Sequence, residues 1–235
     1  MAANASWDVE AVLAALKRKG SKRVREEMAP RYGIVAKDAY GVAMADIKAL
    51  AKNIGRDHAL ALALWKTGNY EARLLCSMIA APEAVTPALM ESWRRDFDNW
   101  GVTDTLCFNL FDRTPHAFAK VRAWAKLNDE FGRRAAFALL ACLALHDKKA
   151  KDAEFLDCLP LTAKAAADGR NFVKKAVSWA LRAIGGRSIA LNKAVLAQSR
   201  ALADSTDPAE RWVGKDVLKD LSRPAAKARL ARAKR

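Results

Sequence analysis

The sequence predicts an all-α fold, and three of its features carry that prediction. Alternating β-branched and aromatic segments, which would indicate strands, are nearly absent. Glycine and proline fall between segments of helical periodicity. Successive helix pairs recur about every 35–45 residues, close to the length of HEAT and armadillo repeats. We therefore expect a single domain over residues 1–235, an α-solenoid of HEAT-like antiparallel helix pairs with a concave basic groove; an ordinary globular helical bundle is the alternative.

In the first half of the chain, capping residues, glycines and prolines mark the ends of the predicted helices. Ser6 is a suitable N-cap for the first helix, which has Asp8 and Glu10 in its first turn and ends before Gly20. Four more helices are expected in MADIKALAKNIG (44–55), DHALALALWKTG (57–68), YEARLLCSMIA (70–80) and PALMESWRRDF (87–97). Short turns should join them.

The second half continues with longer helices. RRAAFALLACLALHDKK (133–149) is apolar nearly all round, so we expect neighbouring helices to bury it on several sides. NFVKKAVSWALRAIGG (171–186) stops at a glycine pair, and DPAERWVGKDVLKDL (207–221) begins with an aspartate cap and a proline in its first turn. A basic tail over about residues 224–235 fits either a helix or a disordered segment.

The net charge is the most informative feature of the composition. The chain has 41 Lys and Arg against 26 Asp and Glu, a net charge of +15 with a pI of about 9.9. A protein this basic usually binds a polyanion, most often nucleic acid, although charge that only aids solubility is an alternative. No apolar run suits a membrane span and the N-terminus does not resemble a secretory signal, so we expect a cytoplasmic protein without membrane contact.

Cysteine and histidine usage and the missing motifs argue against a metal or cofactor. The four cysteines are far apart along the chain: Cys76, Cys107, Cys142 and Cys158. Their apolar surroundings are typical of buried thiols in a reducing compartment. The three histidines are dispersed, and the signatures of nucleotide-binding loops, zinc proteases and serine hydrolases are missing. We expect any catalysis to proceed without a cofactor, a metal or a covalent nucleophile.

The segment FDNWGVTDTLCFNLFDR (97–113) holds the most distinctive pair of residues. In a helix, Trp100 and Asp104 would lie only about 40° apart, away from the apolar stripe of the segment. Gly101 could break the helix between them, so this geometry holds only if the helix includes it. Packing and solvation would explain the pair. A site that needs an aromatic surface beside a negative charge would also explain it.

A second tryptophan and three cations form the other candidate group. Trp179 would lie at the edge of its helix's apolar stripe, about 40–60° from Lys175 and Arg182, where it could face a groove occupied by phosphates. We therefore expect both cations to contact nucleic acid; packing of the indole against the next repeat is the alternative. Arg134 enters the most buried helix beside small alanines, and a buried guanidinium needs an anionic partner, either a carboxylate or a bound phosphate.

Taken together, these segments resemble the AlkD-like DNA alkylation repair family, DNA glycosylases built from HEAT-like repeats. The resemblance covers most of residues 30–190 in the family's order. It is most specific at NWGVTD (99–104), RRAA (133–136) and VKKAVSWALR (173–182). No single segment is a motif by itself, and the combination is what indicates the family.

The resemblance also implies roles for individual residues. Trp100 and Trp179 would flank the lesion-bearing nucleotide, Asp104 would be the catalytic carboxylate, and Arg134 would hold a backbone phosphate. One departure concerns the position after the first tryptophan. Related segments often carry a second acid there, whereas this chain has Gly101, which could alter the local geometry or remove a capping contact.

The function implied by the resemblance is a monofunctional N-glycosylase of the 3-methyladenine and 7-methylguanine type. It would act as a monomer on double-stranded DNA carrying alkylated purines, and it would be nucleoid-associated when bound. Two alternatives stay open. A non-catalytic relative could use the same basic surface to recognise bent, branched or damaged duplex. A HEAT scaffold could bind an acidic protein instead, and its binding to DNA would be absent or insensitive to salt.

Overall fold

The computed structural model describes residues 7–232, and these residues form α-helices joined by short connections. No strand occurs among them, which confirms the all-α prediction. The chain divides into two compact units, Met1–Thr114 and Pro115–Arg235.

The first unit contains seven α-helices within its described residues. These are α1 (Val9–Lys19), α2 (Lys22–Tyr32), α3 (Met44–Ile54), α4 (His58–Trp65), α5 (Tyr70–Ile79), α6 (Pro87–Arg95) and α7 (Trp100–Asn109), with 3-10 turns at Pro82–Ala84 and Phe111–Arg113. The N-cap of α1 is Asp8, whose carboxylate accepts a hydrogen bond from the Ala11 N–H at 2.8 Å. Ser6, the predicted cap, lies outside the described residues.

The α2 helix was not predicted, and its sequence explains why. Pro30 lies inside it, and a proline normally ends a helix because it lacks an N–H and its ring crowds the preceding turn. Here the helix continues only to Tyr32 before Gly33 closes it with a left-handed φ of 64°. The proline therefore stands near the end of α2 and interrupts little of it.

The second unit contains eight α-helices within its described residues. These are α8 (Ala117–Trp124), α9 (Glu130–His146), α10 (Asp152–Leu156), α11 (Leu159–Ala166), α12 (Asn171–Gly185), α13 (Ile189–Ala203), α14 (Pro208–Leu221) and α15 (Pro224–Arg232). Twelve of the 17 residues of α9 are buried, which confirms the prediction of a helix covered on several sides. The basic tail is helical as far as Arg232.

Within each unit, equivalent helices of consecutive repeats run parallel. In the first unit, Tyr70 at the start of α5 meets Gly101 at the start of α7, and near the helix ends Asn109 donates to the Ser77 hydroxyl at 3.0 Å.

In the second unit, Arg134 of α9 donates to the carbonyl of Phe172 in α12, and Arg187 just beyond α12 donates to the carbonyl of Ala144 near the end of α9. These three hydrogen bonds join residues 32, 38 and 43 positions apart, and the two in the second unit fall within the predicted repeat length.

A buried carboxylate attaches the segment between α2 and α3 to α5. Glu71 is only 1% exposed. Its oxygens accept three backbone N–H groups, from Tyr40 at 3.0 Å, Gly41 at 2.7 Å and Val42 at 3.2 Å. The hydrogen bonds from Gly41 and Val42 are buried, so the segment depends on Glu71 for its position.

We predict that Glu71→Ala lowers the free energy of unfolding by about 3 kcal/mol or more, since hydrogen bonds to a charged group are strong and the orphaned N–H groups stay buried. Urea denaturation monitored by circular dichroism measures the change. Glu10→Ala, which removes an exposed glutamate of α1, is the control and should cost little. Equal costs for the two variants would contradict the role assigned to Glu71.

A second carboxylate, Asp168, joins the start of α9 to the loop before α12. It lies 2.5 Å from Arg170 Nη2 and 2.9 Å from Arg133 Nη1. The hydrogen bonds from Arg170 lower the pKa of Asp168 to about 2; burial opposes this shift, and the hydrogen bond from Arg133 adds to it. The folded state therefore favours the ionised carboxylate.

The lowered pKa of Asp168 predicts a pH dependence of stability. Because the folded-state pKa lies below the ordinary value of 3.8, the contribution is fully present above about pH 4 and is lost as the pH falls towards 2. Asp168→Asn should lose on the order of 1–2 kcal/mol at pH 7 and decline less steeply in acid. Thermal melts between pH 7 and pH 2 test this, with the exposed Asp157→Asn as control. Parallel pH profiles for wild type and Asp168→Asn would refute it.

Candidate nucleic-acid interface

The helix that carries Trp100 and Asp104 forms without a break at Gly101. Asn99 is its N-cap, and the Asn99 side chain accepts a hydrogen bond from the Val102 N–H at 3.0 Å. Asn99 is 2% exposed, so this cap is shielded from water. Gly101 therefore does not break the helix between Trp100 and Asp104, and α7 begins at Trp100.

Trp100 is half-buried and has a structural role. Its ring packs against the buried cluster of Met28, Ile34 and Ala39, and its indole N–H donates to the carbonyl of Tyr32 at 2.7 Å. Both contacts orient the indole and tie the start of α7 to the end of α2. Packing thus explains part of the surroundings of Trp100. A contact between Trp100 and DNA stays a prediction.

Asp104 lies one turn after Trp100 on the side of α7 that is not fully buried. It is half-buried, whereas Val102 and Leu106 on the other side of the helix are buried. Phe108 follows one turn later on the same side and is 41% exposed. The three residues Trp100, Asp104 and Phe108 form what we call the α7 face. Phe108 is not among the predicted site residues, although its spacing of four residues from Asp104 places it on the same helix face.

Gly101 is closely packed, and Tyr70 is the reason. A Cβ at position 101 would lie 2.5 Å from the Tyr70 hydroxyl oxygen, 3.2 Å from Asn99 Oδ1 and 3.3 Å from Ile34 Cδ1. Burial, together with the nearby Glu71 carboxylate, raises the pKa of Tyr70 to about 12, so its hydroxyl stays protonated at neutral pH. The chain therefore has a tyrosine hydroxyl in the space that a side chain after Trp100 would need.

A polar cavity of about 350 Å³ lies beside the start of α7. Its charged lining contains two cations, Lys37 and Arg73, and two carboxylates, Asp38 and Asp98. Tyr70 also lines this cavity. The formal charges of the lining balance, and Arg73 also lies 3.5 Å from Asp96 outside this set.

In the second unit, Arg134 is 7% exposed at the start of α9. Its Nη1 donates to the carbonyl of Phe172 at 2.6 Å, and its guanidinium lies 5.9 Å from the centroid of the Phe172 ring. Arg134 thereby anchors the first turn of α12. Its predicted contact with a DNA phosphate stays a prediction.

The helix α12 brings Lys175, Trp179 and Arg182 to one side. Lys175 is exposed and Trp179 is half-buried at the edge of the apolar stripe, as its position in the sequence predicts. Arg182 lies 3.8 Å from Asp216 and 3.7 Å from Asp220, so two carboxylates of α14 already share its charge. Lys175 is therefore the cation of this group that faces solvent most openly, and the DNA contacts of all three stay predictions.

The described residues contain no group of three or more His, Cys, Asp or Glu side chains placed to hold a metal ion. Among their helices, none is both long and apolar enough to cross a membrane. All four cysteines are buried and none forms a disulfide, which confirms their prediction as buried thiols. The candidate residues of α7, α9 and α12 are thus three aromatic rings, one carboxylate and three cations.

These features define a class of protein: an all-helical HEAT-like repeat protein with an aromatic and acidic helix face in a strongly basic chain. Comparisons with known proteins are consistent with that class. The family model for DNA alkylation repair enzymes matches residues 12–229, and the chain belongs to that family. No curated protein gives a significant match.

One solved structure shares the fold over almost the whole chain. It is described as coming from "a new family of proteins related to the HEAT-like repeat DNA glycosylases with affinity for branched DNA structures". The match has a TM-score of 0.75 and 18% sequence identity, and covers 91% of this chain and 95% of the other. The HEAT-like repeat fold is therefore confirmed.

The close approach of Tyr70 to Gly101 predicts that the two positions are coupled. Gly101→Ala should destabilise the protein by about 1–3 kcal/mol, because the added methyl group meets the phenolic oxygen in a packed site. In a Tyr70→Phe background the cost should fall by at least about 1 kcal/mol, since the oxygen is gone and alanine is the better helix former. Chemical denaturation of the four proteins in this cycle measures the coupling.

Gly169→Ala is the matched control, because a Cβ at position 169 meets no atom within 4 Å. Its stability should stay close to that of the wild type. An identical cost of Gly101→Ala in both backgrounds would show that the Tyr70 hydroxyl does not occupy the critical space.

Proposed function

We propose that this protein is a monofunctional DNA glycosylase that removes cationic N3- or N7-alkylated purines from duplex DNA. Two observations support the proposal: membership of the DNA alkylation repair enzyme family, and the α7 face. The pairing of Trp100 with Asp104 on that face carries it, because an indole and a carboxylate one turn apart suit a reaction that passes through cations.

The chemistry requires little from the protein. An N3- or N7-alkylated purine already bears a positive charge, so the electrons of the C1′–N bond neutralise the base as it leaves, and no general acid is needed. The sugar becomes an oxocarbenium-like cation, and a water oxygen then bonds to C1′ and loses a proton. A carboxylate at this position stabilises the cation and orients the water. Asp104 is the residue we assign to both tasks.

The aromatic residues would hold the cationic nucleotide. An indole face attracts a cation by about 0.5–2 kcal/mol, depending on how far the pair is shielded from water. The hydrogen bond from Trp100 to Tyr32 orients that indole before DNA arrives, so binding loses little side-chain entropy. Trp179 and Lys175 of the second unit would also contact DNA.

Arg134 would contribute a phosphate contact in addition to its structural one. A guanidinium carries five N–H donors and can hold a protein carbonyl and a phosphate together. Because Arg134 also anchors α12, its replacement would affect both stability and DNA binding. We expect the protein to act as a monomer in the cytoplasm, associated with the nucleoid when bound to DNA.

A second candidate function is non-catalytic recognition of branched, bent or damaged duplex. Two observations favour it. The structural neighbour belongs to a family with affinity for branched DNA structures, and Gly101 stands where related segments often have an acid. Release of 7-methylguanine or 3-methyladenine from methylated duplex by the wild-type protein distinguishes the candidates, since only a glycosylase forms the free base.

We predict that Asp104→Asn lowers the single-turnover rate of base release by about 10²–10³, the usual cost of removing one preorganised electrostatic contact. Asparagine keeps the size of aspartate and loses its charge. DNA affinity should hold or rise slightly, because a negative charge near the phosphates is gone. Rates of base release and dissociation constants measured on the same methylated duplex test both expectations.

Glu83→Gln is the control, since it removes an exposed carboxylate of the same unit away from α7. It should excise at the wild-type rate. Melting temperatures separate chemistry from folding: a structural role for Asp104 would lower stability by about 0.5–2 kcal/mol, with proportionate effects on every other property. An Asn variant that excises at the wild-type rate would remove Asp104 from the mechanism.

A further inference from the structure

Trp212 differs from the other tryptophans in its surroundings. The chain has seven tryptophans, all within the described residues. Three are buried and three are half-buried, whereas Trp212 on α14 is 36% exposed. Lys174 of α12 holds its ammonium group 5.2 Å from the centroid of the Trp212 ring. Trp212 is therefore the tryptophan whose ring is most open to solvent among the described residues.

The register between α12 and α14 fixes the orientation of Trp212. One turn after the contact between Lys174 and Trp212, the Ser178 hydroxyl donates to Asp216 at 2.5 Å. One turn further, Arg182 lies between Asp216 and Asp220. The two acids of α14 are therefore directed towards α12, where a hydroxyl donor and a cation compensate their charge.

On the solvent side of α14, Trp212 and two lysines lie beside Asp216, whose side chain is still 37% exposed. Trp212, Lys215 and Lys219 are all exposed, and their spacing of three and four residues places them within about 60° of arc over about 10 Å. We call these three residues the α14 stripe. Neither lysine forms an ion pair with any of the described residues, so both charges are open to a mobile anion.

The second unit also carries most of the net charge. Residues 115–235 contain 25 Lys and Arg against 12 Asp and Glu, whereas residues 1–114 contain 16 against 14. The attraction for a polyanion is therefore concentrated on the unit that contains the α14 stripe. The charge of the whole chain conceals this difference.

From these observations we infer that the α14 stripe is a binding site for unpaired nucleotides of single-stranded DNA. The exposed Trp212 ring stacks on a base, and Lys215 and Lys219 follow the adjoining phosphates. Aromatic rings with flanking cations are the usual composition of single-strand sites, because every base has a π face that can stack. In an intact duplex those faces are covered by neighbouring base pairs, so the stripe favours single-stranded arms and branch points.

The inference goes beyond the proposed excision reaction and does not depend on it. The α14 stripe contains none of the residues assigned to catalysis, and its ligand needs no alkylated base. Failure of the wild-type protein to release an alkylated base would leave the stripe's affinity for single strands untouched. Loss of the stripe should likewise leave excision from linear duplex unchanged.

Fluorescence anisotropy with the full chain tests the site directly. The probes are an unmodified 15-nucleotide oligodeoxythymidine and a linear duplex of the same length. Trp212→Ala should weaken binding to the single strand about tenfold or more, and binding to the duplex by less than about twofold. Trp212→Phe keeps an aromatic ring and should retain most of the affinity. Ile189→Ala removes an exposed apolar residue of α13 and is the control; it should bind like the wild type.

The lysines are tested through the salt dependence of single-strand binding. Replacing both Lys215 and Lys219 by Gln should reduce the slope of log affinity against log salt by about 1.4, since each single-strand phosphate contact contributes about 0.7. Trp212→Ala should leave the slope almost unchanged. The inference is overturned if the wild type does not bind the oligonucleotide, if Trp212→Ala and Trp212→Phe both bind it like the wild type, or if Trp212→Ala weakens duplex binding equally.

Discussion

The structure of each unit depends on parallel packing between equivalent helices of consecutive repeats. In each unit, two parallel helices are joined through an intervening helix, and they pack side by side in a fixed register. A side chain on one of these helices therefore meets a defined position on the equivalent helix of the next repeat. Tyr70 against Gly101, Arg134 against Phe172 and Ser178 against Asp216 are three instances of this contact. Small residues allow the helices to approach closely, as the buried alanines of α9 do. The repeats therefore position one another.

This packing means that several candidate DNA-binding residues also hold the fold together. Trp100 secures the end of α2, Arg134 anchors α12, and Arg182 joins α12 to α14. A substitution at one of these positions changes both stability and DNA binding. A loss of activity in such a variant does not by itself show which of the two was affected. Lys175 and Phe108 are exposed, so they report on binding more directly.

The residue assigned to catalysis and most of the net positive charge belong to different units of the chain. The carboxylate assigned to catalysis belongs to a unit with nearly balanced charge, while the excess of cations belongs to the other unit. A carboxylate among many cations would have its charge compensated by them, and its effect on a sugar cation would be weaker. Under the proposed function, the basic unit would supply the long-range attraction for DNA, and Asp104 would supply the charge that stabilises the sugar cation.

The sequence alone determined the helices whose ends depend on local signals. Gly55 and the Asp207–Pro208 pair mark helix ends through their own backbone preferences, and the continuous apolar run of α9 requires burial whatever its neighbours are. The position of Asp104 beside Trp100 likewise follows from helical spacing once α7 is known to be a helix.

Only the tertiary structure decided which partners those residues meet. The occupation of the space at Gly101 by Tyr70, the pairing of Arg182 with acids of α14 and the exposure of Trp212 all join or compare residues far apart in sequence. Such contacts depend on the register between helices, which the summed packing of many side chains sets. The spacing of residues within one helix contains no information about that register, and the partners could therefore be read only from the fold.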